Sequence, residues 1–167
     1  MTSNAFNDGR SFEKSLEMIH GIYERQGRAT VSKVEPPVRV IGWGPARKVI
    51  FLENPFCDFT GVLTELGNRP CHFEAKSTSE PILPCQERSK FSRTQREALA
   101  RWRAAGAATW LLWEMGGKVR IFFHNMILTG LAARRSLVWD DGLDVPAGLG
   151  YVYYDWLTSV KRYEQYL

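Results

Sequence analysis

Cysteine is scarce in this 167-residue chain: Cys57, Cys71 and Cys85 are an odd number and form no C-x-x-C pair. That pattern argues against a disulfide framework and offers no zinc ligand set of ordinary spacing. Long apolar runs are missing too. Nothing approaches the roughly 18 residues of a membrane-spanning helix, and the opening MTSNAFNDGR holds no apolar signal-peptide core. A cytosolic protein is expected. No internal repeat, low-complexity tract or domain linker interrupts the chain. What is there, 44% hydrophobic and 13% aromatic residues, suffices for one globular domain with a real core across residues 1–167.

Charge of one sign is concentrated rather than dominant. Lys and Arg number 22 against 18 Asp and Glu, a net +4 that says little about partners. Its distribution says more. Residues 10–48 hold eight cations and four acids, and residues 86–103 hold six and two; from residue 140 onward acids lead five to two. Two basic segments and an acidic end suggest one face for phosphates.

Hydrophobic spacing sorts the chain into elements. Phe12, Leu16, Ile19 and Tyr23 recur at i, i+4, i+7 and i+11, which predicts a helix over residues 11–26 with Ser11 as its cap and Gly27 at its end. Glu13, Glu17, His20 and Glu24 make a polar stripe beside it. Pro36-Pro37 mark an edge or bend, and VIFLENP reads as a short strand. DFTGVLTEL and RPCHFEAKS read as two strands about a Gly67-Asn68 turn. TSEPILPCQERSK is a charged connection, and SRTQREALARWRAAG a helix ended by Gly106. AATWLLWEM and KVRIFFHNM are strands joined by Gly116-Gly117, and ILTGLAARRS a short helix. WDDGLDVPAGLG reads as a loop, and the aromatic tail from about 148 to 167 as a docked helix. This order predicts an α/β fold, a mixed sheet flanked by helices.

The stretch CHFEAKS carries the chemistry. Period two puts Cys71, Phe73 and Ala75 on one face and His72, Glu74 and Lys76 on the other. A carboxylate and an ammonium thus point to one place on an otherwise apolar strand. Asp and Glu oxygens suit a hard cation such as Mg²⁺, which can polarise a phosphoryl group. A nearby lysine can orient or deprotonate the attacking water and neutralise charge at phosphorus. The second acid is Asp58, on the preceding strand. With a simple two-residue turn at Gly67-Asn68, Gly61 would face Glu74 and Asp58 would point to the wrong side. Sharing a face needs a slip of one residue, from an odd loop length or from a bulge, for which Gly61 is the plausible place.

Asp58 followed by Glu74-Ala75-Lys76 matches the PD-(D/E)xK nuclease pattern. Four stretches, GRSFEKSLEMIHGIYERQGRATVSKVEPPVRVIG, DFTGVL, HFEAKST and FSRTQREALARWRAAGAATWLLWE, together resemble the RecU-type Holliday junction resolvases. The resemblance implies a restriction-endonuclease-like sheet and a homodimer that cuts four-way DNA junctions with Mg²⁺ or Mn²⁺. It implies catalytic roles for Glu13, Asp58, Glu74, Lys76 and Gln95, with Asp58, Glu74 and Glu13 on the metal. In that family the segment before the aspartate forms a stalk that enters the junction; here it is shorter, and about residues 42–57 read as a reduced, stalk-like loop.

The other candidates face DNA. Lys33, Arg39, Arg47 and Lys48 surround the proline and glycine turns, where phosphate contacts would position a duplex. Trp43 either wedges at an unpaired junction centre or packs locally. Arg88, Lys90, Arg93 and Arg96 form a second basic cluster. Gln95 has two readings: Ser92-x-x-Gln95 is a capping box, yet Gln95, Leu99 and Trp102 share an inward helix face. His72 lies on the Glu74 face and either reaches the edge of the site or is buried and hydrogen-bonded. Two further functions stay open from sequence: a superfamily nuclease acting on flaps, ends or duplex DNA, and a catalytically inactive DNA-binding module.

Overall fold

A computed structural model describes residues 5–51, 57–84, 90–132, 136–147 and 154–167. Helix α1 runs from Ala5 to Arg25. Its stripe of Phe12, Leu16, Ile19 and Tyr23 is buried as the spacing requires. Gly27, in the left-handed region at φ 66°, ends it, and the Arg28 N–H donates back to the Tyr23 carbonyl at 2.9 Å. The expected cap at Ser11 is corrected: the helix is already under way there, and the Ser11 carbonyl accepts from Ser15 Oγ. His20 departs from its polar stripe. It is buried, edge-on to the rings of Phe59, Phe73 and Trp156.

Among the described residues, ten strands follow in three sheets. The main sheet has six, in the order β1 (Thr30–Lys33), β4 (Phe59–Leu63), β5 (Arg69–Ser77), β7 (Ala108–Met115), β8 (Lys118–Phe123), β10 (Leu143–Val145). Every neighbouring pair is antiparallel except β5–β7, which is parallel. The crossover between those two contains α2 (Arg93–Ala104), the connection that parallel neighbours demand. Helix α1 and the tail helix α4 (Trp156–Arg162) cover one face, around Phe59, Phe73, Trp110 and Trp156. Helices α2 and α3 (His124–Ala132) cover the other, around Leu99, Leu111, Trp113 and Phe122. The result is a three-layer α/β domain with a mixed sheet at its centre.

Three further expectations change. The strand through KVRIFFHNM stops at Phe123, and His124 opens α3. The acidic segment is not all loop: Trp139–Asp141 make a helical turn, and Leu143–Val145 pair with β8 as a sheet edge. The charged connection contains β6 (Ile82–Leu83), paired with β9 (Leu137–Val138). Residues 42–51 of the segment expected as a stalk-like loop lie in and around a β-hairpin. Strands β2 (Val38–Ile41) and β3 (Lys48–Phe51) form a two-stranded hairpin separate from the main sheet. Residues 52–56 of that segment, Cys85, Arg88 and the start of the aromatic tail at 148–153 lie outside the described residues.

Candidate active site

The loop between β4 and β5 decides the site. It is a 3₁₀ turn, Thr64–Leu66, followed by Gly67 and Asn68 at φ 70° and 61°. The turn at Gly67-Asn68 is thus part of a five-residue loop, and its odd length supplies the expected slip. The ladder pairs Phe59 with Phe73 and continues without interruption to Leu63 with Arg69. One step further it sets Asp58 opposite Glu74, on the same side of the sheet. No bulge occurs at Gly61, which pairs with Cys71 in the regular ladder. Glycine is needed there for another reason: a Cβ would stand 2.2 Å from the Thr30 carbonyl of the adjoining β1.

Asp58, Glu74 and Lys76 meet. Lys76 Nζ donates to Glu74 Oε2 at 2.8 Å and to Asp58 Oδ2 at 3.3 Å. The Ala75 backbone N–H donates to the same Asp58 oxygen at 3.0 Å. The Glu74 side chain has no exposure, while those of Lys76 and Asp58 are 14% and 20% exposed, so the cluster opens to solvent on the Asp58 side. Burial works against the Asp58 charge, but Lys76 beside it and the Ala75 N–H outweigh that and hold its carboxyl below the usual range. Burial, reinforced by the neighbouring Asp58, pushes the Glu74 carboxyl well above the ordinary value despite the attraction of Lys76. For Lys76, burial opposes the ammonium, and the pull of Glu74 and Asp58 overcomes it and raises the pKa.

Gln95 fulfils both of its readings. Its Oε1 accepts from the Ser92 N–H at 3.0 Å and its own N–H donates to Ser92 Oγ at 3.3 Å, completing a capping box. The other end of the carboxamide, Nε2, donates to Glu74 Oε2 at 3.0 Å. Glu74 Oε2 thus receives two donors. Its partner oxygen, Oε1, is buried with no hydrogen-bond partner. An orphaned carboxylate oxygen beside a second carboxylate suits a divalent cation, which is an acceptor-only site's natural complement. Glu13 is not brought to this point. It pairs with Lys33 across α1 and β1 at 2.9 Å, with Glu17 3.8 Å from the same ammonium. Among the described residues no three acidic, histidine or cysteine side chains form a metal-ligand cluster.

The basic candidates separate into groups. Arg39, Trp43, Arg47 and Lys48 stand together on the β2–β3 hairpin, all exposed, and Trp43 is 93% exposed rather than packed locally. Lys33 is occupied by its two acids. Lys90 is exposed, Arg93 pairs with Glu97 at 2.6 Å, and Arg96 donates to the Phe91 carbonyl. Sequence reasoning missed one partner at the site. His72 stacks face to face on Trp102, with ring centroids 3.9 Å apart and 12° between planes. The signal is present, since Trp102 falls on the inward face of its helix, but nothing in the sequence names the strand residue beneath it.

No curated protein sequence matches the chain. Among solved structures, Hjc of Archaeoglobus fulgidus, a Holliday junction resolvase from an archaeal hyperthermophile, is similar at 17% identity and a TM-score of 0.42, over 71% of this chain and 74% of that one. The family model of RecU, recombination protein U, matches residues 7–129. That match covers well over half the chain, including α1, the Asp58–Glu74–Lys76 cluster and α2, and so the protein belongs to the RecU family of Holliday junction resolvases, endonucleases that act on branched DNA.

Proposed function

We propose that this chain hydrolyses DNA phosphodiesters with Mg²⁺ or Mn²⁺ and, as a homodimer, makes paired nicks in strands of opposite position at a four-way junction. One observation carries the reading: an ammonium is shared by two carboxylates, one of them buried with an oxygen left unpaired. Asp58 Oδ1 and Glu74 Oε1 are the oxygens free to hold the cation, with Glu13 supporting through water after leaving Lys33. Bound there, the metal would polarise the phosphoryl oxygen and lower the pKa of water.

The protein's own groups do the rest. Lys76 sits between the carboxylates as a cation, so it orients the attacking water and offsets charge gathering on the phosphoryl oxygens, rather than taking a proton. Gln95 and the Ala75 N–H hold Glu74 and Asp58 in place. Water gives up a proton to solvent and forms the new bond to phosphorus as the bond to the 3′ oxygen breaks; that oxygen takes up a proton, leaving 5′-phosphate and 3′-hydroxyl ends. Arg39, Arg47 and Lys48 would meet phosphates, and Trp43 would stack at the open centre of the branch. Lys90, Arg93 and Arg96 would meet phosphates on a second approach. Two strands cut at one branch call for two sites, which a symmetric dimer supplies.

The test is Asp58→Asn. It should abolish metal-stimulated nicking of a four-way junction while leaving junction binding in EDTA intact, and linear duplex should be a poor substrate of the unaltered protein. Surviving activity would overturn the assigned roles, and equal cutting of linear duplex would remove the junction preference.

A further inference from the structure

Glu74 receives a hydrogen bond from Gln95, and Gln95 cannot move independently of its helix. The carboxamide is clamped by the capping box: Oε1 takes the Ser92 N–H, and the side chain cannot rotate without losing it. Its reach to Glu74 therefore depends on where α2 sits along β5. Ala98 and Leu99 are buried under the helix. The face-to-face stack of His72 on Trp102, with ring centroids 3.9 Å apart, adds a specific contact between the helix and the strand. Trp102 lies seven residues after Gln95, two turns along the same helix face. His72 lies two residues before Glu74, on the same strand face. The His72–Trp102 stack and the Gln95–Glu74 hydrogen bond thus join the same two elements at separate points.

We infer that His72 is a positioning residue for the metal-binding carboxylate: its stack on Trp102 sets the register of α2 on β5 and thereby keeps Gln95 on Glu74. This rests on the proposed role of Glu74 as a metal ligand. Hydrogen-bonding partners behind a ligand govern its aim, and losing one typically costs about 10- to 100-fold in metal affinity or activity.

The experiment compares His72→Ala, His72→Phe and Glu74→Gln in the full chain. Ca²⁺ binding is followed by calorimetry, and kcat, KM and Mg²⁺ half-saturation are followed on a four-way junction. His72→Ala should weaken Ca²⁺ binding and raise Mg²⁺ half-saturation by about tenfold. It should lower kcat while KM for the junction stays unchanged. His72→Phe, which restores a stacking ring without a titratable group, should return both metal values to within about twofold of the unaltered protein. If His72→Ala melts earlier but binds Ca²⁺ and responds to Mg²⁺ as before, the stack is structural only and the inference fails. If His72→Phe behaves like His72→Ala, stacking is not the cause and the inference also fails. Glu74→Gln separates the two levels: Ca²⁺ binding that survives it would sink the metal-ligand reading itself, whereas its loss beside a silent His72→Ala would sink only the positioning role.

Discussion

The β2–β3 hairpin and the β4–β5 pair are both short antiparallel ribbons rich in β-branched and apolar residues, and they meet opposite fates. On the hairpin every side chain from Val38 to Ile50 is exposed, including Val40, Ile41, Trp43 and Val49. On β4–β5, Phe59, Leu63, Cys71, Phe73 and Glu74 are all buried. Composition does not separate them; cover does. Helices α1 and α2 close both faces of β4–β5, and no described element covers the hairpin. An isolated two-stranded ribbon is marginally stable in water, so the hairpin is free to adapt to what it touches. The proposed reacting groups sit where packing holds them, and the proposed substrate contacts sit where it does not. In the proposed function, chemistry that needs aim falls to the covered ribbon, and recognition that needs reach to the bare one.

That division can be broken or sharpened by experiment. The largest effect should come from the covered side under acid. His20 is enclosed by aromatic rings, and burial lowers its pKa from 6.5 to about 3. The unfolded chain would take up a proton that the folded one refuses. Stability is thus fullest above pH 6.5 and falls as pH drops from there toward 3, by about 1.4 kcal/mol per unit. Urea unfolding at pH 7 and 4.5 should show this slope, and His20→Leu should flatten it; an equal slope in the variant would mean the ring cage is not the acid-sensitive point. Next comes Gln95→Ala. It strips one donor from Glu74 and one half of the capping box, and should cost about 10- to 100-fold in Mg²⁺-dependent cleavage with little change in junction binding. The smallest effect belongs to the hairpin. Trp43→Ala should weaken junction binding by about 1 kcal/mol, the low end for a base-stacking aromatic, and leave the melting temperature unchanged. A large fall in melting temperature would show that the hairpin is part of the packed body after all.

Several parts of this protein were readable from local pattern. The α1 stripe, the face shared by His72, Glu74 and Lys76, the glycine pair joining β7 to β8 and the capping box at Ser92 all follow from periods and short spacings. Other parts were not. The polar stripe containing His20 looked regular, yet the helix turns that residue into the aromatic core. The acidic segment looked like loop because Leu143 and Val145 alternate over only three residues, too few for a period to show. Lys33 looked like a phosphate contact because its acids lie twenty and sixteen residues away along the chain.

Sequence alone settled which residue types could do the work, an acid, an acid and an amine, and that two of them share a strand face, since side-chain alternation is a property of each strand on its own. Whether Asp58 joined them was a question of register, and register depends on how many residues the chain spends between strands and how it coils there. The 3₁₀ turn and the two left-handed residues after it answered that, and the helix laid across β5 decided what else Glu74 would touch. Those are contacts between segments distant in sequence, so only the folded chain could choose them.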